Sequence, residues 1–191
     1  MENFYNLNAR IYFNKTVNNN LEEIYEPFLS QVPNDGRILD LGCGSGRDSK
    51  YFNEKGYQVI GVDGSIELVN LANKYTGLDI LCSEYKDLNL KPSSFDGIWC
   101  CASLLHLSRN ELPSILIKLK TWLKANGVLY ASFKYGDKER KDGNRFFNDL
   151  NEEYYQTNIL PLLEMTTVKI WKTVETRNDQ EIIWFNFILK K

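Results

Sequence analysis

A knot of glycines, three well-spaced acids and a single histidine are the residues of this chain that could do chemistry. The glycines stand in the run Ile38-Leu39-Asp40-Leu41-Gly42-Cys43-Gly44-Ser45-Gly46-Arg47-Asp48. Glycine lets a backbone come close to a ligand. A helix opening directly after such a turn offers N–H groups at the positive end of its dipole. The turn is not a phosphate loop, because G-x-x-x-x-G-K-[ST] is absent. It also breaks the dinucleotide fingerprint, whose third glycine falls where Arg47 stands. Asp40, two residues before Gly42, would crowd a pyrophosphate and attract an ammonium. A ligand with an amino-acid end answers both features, its ammonium on Asp40 and its carboxylate on the N–H groups of Gly42, Cys43 and Gly44. Asp63, followed by Gly64, closes the next apolar run, where an acid accepts hydrogen bonds from ribose hydroxyls. Glu84, followed by Tyr85, is placed to accept from an adenine amino group. By charge matching, a ribose acceptor, an adenine acceptor and an amino-acid cradle together describe S-adenosylmethionine.

The elements that must position these residues follow from periodicity. Residues 4–17 make a polar helix with Phe4, Leu7 and Ile11 on one side, and residues 21–32 an amphipathic helix ended by Pro33-Asn34-Asp35-Gly36. Strands are predicted at 37–41, 57–62, 78–82, 95–101 and 128–133, and helices at 46–55 and 65–75. Ser108 and Glu111 form a capping box ahead of a helix that Asn126-Gly127 stops. Strand alternating with helix over short turns means a parallel sheet with right-handed crossovers. The end of the chain differs: 166–174 and 182–189, joined by Arg177-Asn178-Asp179-Gln180, read as a β-hairpin. Its last strand, Ile182-Ile183-Trp184-Phe185, is apolar on both faces and so belongs inside the sheet. The expected architecture is one α/β domain over residues 1–191, a doubly wound core (37–191) behind an N-terminal helical segment (1–33).

In order and spacing, ILDLGCGSGRDSKYF, GYQVIGVDGS, FDGIWCCASLLHL and LKANGVLYASF resemble the successive motifs of class I S-adenosylmethionine-dependent methyltransferases, over about half of the chain. GRDSKYF followed by GYQVIGVDGS is similar to the small enzymes of the thiopurine and tellurite methyltransferase type. The resemblance implies a Rossmann-like, seven-stranded sheet with its last strand inserted antiparallel. It implies cofactor contacts at Asp40, Gly42, Gly44, Asp63 and Glu84 and at the backbone near Tyr85 and Cys101. It also implies an N-terminal helix that covers the cofactor, which makes Tyr12 and Thr16 lid candidates. The implied activity is methyl transfer to a small-molecule acceptor by in-line displacement. An RNA- or protein-directed enzyme and a cofactor-binding module without turnover stay open as alternatives.

Composition narrows the field. The 191 residues carry a formal net charge of −2, which argues against a general nucleic-acid binder. No D/N-P-P-[YFW] tetrapeptide follows the fourth strand; Cys101-Ala102-Ser103-Leu104 stands there. No apolar run approaches the roughly 20 residues of a membrane span, and the first residues lack a secretory pattern. Cys43, Cys82, Cys100 and Cys101 form no CxxC pair and read as reduced thiols of a cytoplasmic protein rather than as disulfides or a metal site. His106, the only histidine, follows the fourth strand and could accept a substrate proton; the plainer reading is a loop-orienting residue. Lys134 to Arg145 is a charged loop bordering the acceptor side. It reads as solvated, or as facing an anionic or aromatic acceptor.

Overall fold

The computed structural model describes residues 2–177 and 179–191. Met1 and, of the expected hairpin turn, Asn178 lie outside the described residues. Nine strands and seven short-to-medium helices follow the chain: α1 (Glu2–Thr16), α2 (Glu22–Leu29), β1 (Arg37–Leu41), α3 (Arg47–Glu54), β2 (Gln58–Asp63), α4 (Ile66–Thr76), β3 (Leu81–Cys82), β4 (Phe95–Cys100), α5 (Leu112–Trp122), β5 (Leu123–Lys134), β6 (Glu139–Asp142), β7 (Arg145–Asn148), α6 (Glu152–Tyr154), α7 (Leu160–Leu163), β8 (Thr166–Arg177) and β9 (Gln180–Lys190). A 3-10 turn, Leu104–His106, follows β4, and a π turn, Tyr155–Ile159, joins α6 to α7.

Seven strands form one sheet in the order β3-β2-β1-β4-β5-β9-β8. β1 to β5 run parallel and β9 enters antiparallel beside β5. The last strand is therefore interior, as its two apolar faces require, with β8 on the edge. Side chains alternate across the sheet. Ile38, Trp99, Tyr130 and Ile188 pack with Tyr25 and Phe28 of α2 and Phe52 of α3. Leu39, Leu41, Ile98 and Leu129 pack with Leu112, Leu116 and Leu119 of α5 and with Tyr155 and Leu163. The order reverses between β1 and β4, and the C-terminal strand ends meet in a crevice there.

Three local expectations are corrected. β3 keeps only Leu81–Cys82 of the expected 78–82. α5 ends at Trp122, well before Asn126-Gly127, because Leu123 already pairs with Phe95 of β4; its capping box does form, Glu111 N–H donating to Ser108 Oγ (3.3 Å) and Ser108 N–H to Glu111 Oε2 (3.0 Å). The segment from Lys134 is not an open loop: β6 and β7 pair as a two-stranded sheet, Arg140 opposite Phe147.

Candidate functional site

The turn after β1 is held by its own backbone. Gly42 and Cys43 donate their N–H groups to Val62 O (2.8 and 3.0 Å), and Gly46 to Cys43 O. Gly44 N–H donates to Asp63 Oδ2 (2.8 Å) and Ser65 N–H to Asp63 Oδ1 (2.9 Å). These N–H groups are thus engaged within the protein, which corrects the expectation that those of Gly42, Cys43 and Gly44 receive a ligand carboxylate; the glycines act by shape. Gly42 sits at φ +76°, and a Cβ there would lie 2.4 Å from Ser103 Cβ and 2.8 Å from the Tyr85 hydroxyl. At Gly44 (φ +56°) a Cβ would stand 3.1 Å from the Tyr12 ring. Both are left-handed positions that glycine takes without penalty.

Helix α1 lies across this crevice. Its inward face is Tyr5, Ala9, Tyr12 and Phe13, while Leu7 and Ile11 are exposed. That corrects the aliphatic stripe expected from the sequence: what α1 covers is polar, so hydroxyl-tipped rings face in. Asn6 Oδ1 accepts from Ser65 Oγ (2.6 Å), and the Phe13 ring meets Tyr75 of α4 edge-on.

Beneath α1 is a cavity lined by Tyr5, Tyr12, Gly42, Gly44, Asp63, Gly64, Ser65, Leu68, Glu84, Tyr85, Ala102, Ser103 and His106. Eight of these, Tyr12, Gly42, Gly44, Asp63, Gly64, Glu84, Tyr85 and His106, are sequence-predicted site residues. Thr16, Asp40, Cys43 and Cys101 stand off the cavity wall. The Thr16 hydroxyl donates back to Tyr12 O (2.9 Å), and its own carbonyl accepts from Arg47 (3.4 Å). Asp40 is buried behind the turn and accepts from Ser49 Oγ (2.6 Å). Cys43 packs with Val69, Ala72 and Ile80. Burial pushes the Cys101 thiol up to about 12, so it is no nucleophile at neutral pH.

Behind the wall stands a buried network the sequence reading missed. Asp48 accepts from Arg47 Nη2 (3.0 Å) and Nε, from the Tyr25 hydroxyl (2.5 Å) and from Trp99 Nε1 (2.8 Å). These donors hold its carboxyl below the usual range despite burial. Asp40 nearby is raised, first by desolvation and then by the Asp48 charge. The network ties α2 and α3 to β4.

His106 is fixed at both nitrogens. Nδ1 lies 2.8 Å from Phe146 O, which can only accept, so Nδ1 carries the proton. Nε2 therefore accepts from the Tyr5 hydroxyl at 2.7 Å. Burial lowers the ring to about 4, helped by the charges of Arg145 and Lys134, so the imidazole is neutral at pH 7. Tyr5 was absent from the predicted site; the two-turn spacing of Tyr5 and Tyr12 was the available signal.

The charges on this wall decide which ligand fits. Among the described residues, Asp63 and Glu84 are the only charged ones lining the cavity, and both are acids. Burial lifts Asp63, offset by its two N–H bonds. The wall also carries the hydroxyls of Tyr5, Tyr12 and Tyr85, and the buried Ser103 Oγ has no hydrogen-bond partner. An acid-lined, hydroxyl-rich cavity repels polyphosphates and suits a cationic nucleoside, and Ser103 Oγ waits for a polar atom of it. Residues 39–131 match the family model described as a methyltransferase domain. Over that segment the chain carries a methyltransferase domain.

The relatives agree. The chain is 30% identical over 118 residues to YqeM of Bacillus subtilis, covering 56% of this chain and 48% of YqeM. It is 32% identical over 96 residues to TehB of Haemophilus influenzae, which bears the name of an S-adenosyl-L-methionine-dependent methyltransferase, covering 48% of this chain and 33% of TehB. The chain thus spans about half the length of YqeM and a third of TehB. The fold matches the Burkholderia thailandensis 1,6-didemethyltoxoflavin-N1-methyltransferase, solved with S-adenosylhomocysteine, at a TM-score of 0.77 and 19% identity over 98% of this chain and 84% of that one. S-adenosylmethionine is the cofactor of this domain class, and the cavity's acids and orphaned hydroxyl fit it. Among the described residues no helix is long and apolar enough to cross a membrane.

Proposed function

We propose that this methyltransferase domain moves a methyl group from S-adenosylmethionine to a small-molecule acceptor in the cavity beneath α1. The observation that carries the reading is the cavity's two ends: an acid wall at Asp63 and Glu84, and the neutral Tyr5–His106 pair. Asp63 holds the ribose hydroxyls, Glu84 the adenine amino group, and Tyr12 with Gly44 closes the cavity over the amino-acid end. Asp40, behind the turn, supplies negative charge to that end. When bound, the cofactor supplies a methyl group on a sulfonium, already a good leaving group. The protein's work is then alignment and exclusion of water, and α1 serves as the cover.

A thiol or amine acceptor needs little base assistance, whereas a hydroxyl needs more. For such an acceptor the chain holds a route for the proton. The Tyr5 hydroxyl already donates to His106 Nε2. As Tyr5 takes a proton from the acceptor, it passes its own to Nε2, and the Phe146 carbonyl keeps the ring's orientation.

Calorimetric titration with S-adenosylmethionine tests the site. Affinity falls about 10- to 100-fold in Asp63→Ala, which loses hydrogen bonds to a charged acceptor; undiminished affinity would remove the assignment. Incubation with methyl-labelled cofactor and cell extract, split into small-molecule and macromolecular fractions, tests the acceptor. Label in the small-molecule fraction is expected. Label confined to RNA or protein, or no transfer at all, refutes it.

A further inference from the structure

The β6–β7 hairpin and the end of β5 bring three cations to one aromatic ring. Lys134 Nζ, Arg140 Cζ and Arg145 Cζ lie 4.2, 4.9 and 5.1 Å from the Phe147 ring centroid. That ring is buried, and its centroid stands 5.1 Å from that of His106. Arg145 also lies over Phe4 of α1, at 4.9 Å. Its charge acts on the Tyr5 hydroxyl, and those of Arg145 and Lys134 act on the His106 ring. The cluster therefore borders the proton-accepting end of the cavity.

Its charges are not balanced. Asp149 pairs with Arg140 at 2.5 Å and Asp142 with Arg145 at 3.2 Å, the latter on the exposed side. Lys134, half-buried, meets no carboxylate within ion-pair distance among the described residues; its partner is the Phe147 face. Three like charges around one ring repel each other, and cation–π contact returns only about 0.5–2 kcal/mol each. A hairpin built for stability alone would gain from an acid or an apolar residue at Lys134. An oxyanion landing there would gain charge-assisted hydrogen bonds in a partly desolvated setting.

We propose that Lys134, Arg140 and Arg145 form the seat for an anionic group, carboxylate or phosphate, of the methyl acceptor, whose nucleophilic atom then reaches the Tyr5–His106 pair. This deepens the methyl-transfer reading and rests on it. The seat divides the labour: acids lining the cavity hold the cofactor, and cations beside its His106 end hold the acceptor. It also gives the paired hairpin a purpose, since β6 and β7 carry Arg140 and Arg145 to the ring from opposite strands.

The test uses the full chain loaded with S-adenosylhomocysteine, with inorganic phosphate or acetate as probe and chloride holding ionic strength constant. The readout is the thermal unfolding midpoint. At least one ion is expected to raise it saturably, phosphate alone marking a phosphorylated acceptor and acetate alone a carboxylate. Lys134→Gln and Arg145→Gln weaken that binding about tenfold or more, the loss of one charge-assisted bond. Lys134→Arg retains it, and Lys141→Gln, on the exposed side of β6, leaves it unchanged. If Arg145→Gln does not fold, the Lys134 pair of variants decides. No saturable effect of either ion on the loaded protein, or equal binding by wild type and Lys134→Gln, overturns the seat. Should S-adenosylhomocysteine itself fail to raise the midpoint, it is the methyl-transfer reading that falls.

Discussion

Replacing His106 by glutamine asks whether the imidazole is held neutral as its two hydrogen bonds require. The ring drops from an ordinary 6.5 to about 4, desolvation being the largest cause. The fold therefore disfavours the protonated ring, while the unfolded chain binds its proton near 6.5. The stability this represents is fully present above pH 6.5 and is lost as pH falls from there towards 4. At 1.36 kcal/mol per unit the whole gap is about 3 kcal/mol, of which about 2 kcal/mol is gone by pH 5. Urea unfolding of wild type and His106→Gln at pH 7.5 and pH 5 measures it. Carboxylates titrating in both chains cancel in the difference. Wild type should lose about 2 kcal/mol more than the variant, a midpoint shift of about 1 M for a slope near 2 kcal/mol per molar. The same ring predicts no acid limb near 6.5 in the pH profile of kcat/KM. Parallel losses in the two chains, or a limb at 6.5, would show an imidazole open to water and refute the assigned tautomer.

Other perturbations probe the frame around this pair. Asp48→Asn leaves the Arg47 charge buried without its carboxylate and should cost about 3–5 kcal/mol, lowering Tm by roughly 6–20 °C; a shift under about 2 °C would mean the network carries little. Gly42→Ala forces a left-handed alanine against Ser103 and should cost more than the 1–2 kcal/mol of the backbone alone. Adding Ser103→Gly removes the clash and recovers part of that loss, and strict additivity would contradict the contact. Because burial raises Asp40, a cationic cofactor must displace its proton, so affinity should climb as pH rises through neutrality. Asp40→Asn flattens that slope in calorimetry, and an unchanged slope would assign the proton elsewhere.

Much of the fold was legible because the sheet repeats one simple rule. Apolar runs of strand length, each followed by an amphipathic helix, specify β1, β2, β4 and β5, and the two-faced apolarity of Ile182–Phe185 places β9 inside. The hairpin of β6 and β7 was not legible, since Glu139-Arg140-Lys141-Asp142 has no apolar alternation; cation–π contacts to Phe147 hold it instead. Nor was the turn of helix from Glu152 to Leu163, which shifts to π spacing midway. At the site, spacing located residues that reach the cavity from strand ends, such as Asp63 and Glu84. It missed Tyr5 and Ser103, which reach the cavity only through the tilt of α1 and the turn after β4.

The charges of this molecule are sorted by depth and by side. At the back, Asp48 is neutralised in place by Arg47 and two neutral donors, Tyr25 and Trp99, so it serves the frame and leaves little field. At the acid-lined end of the cavity, Asp63 and Glu84 have no cation within ion-pair distance among the described residues, and Asp63 is answered only by backbone dipoles. At the other end, Lys134 has only an aromatic face. An unpaired, partly buried charge costs stability in the empty protein, and acids lining the cavity together with a lysine beside its far end cost it twice. The arrangement makes physical sense if, as proposed, the missing partners arrive with the ligands: the ribose hydroxyls and adenine amino group of a cationic cofactor on the acids, an oxyanion beside the cations. Between them the Tyr5–His106 pair starts neutral; a proton passed to Nε2 while Nδ1 keeps its own leaves an imidazolium, which burial and the nearby cations disfavour, so the pair holds that proton only in passing.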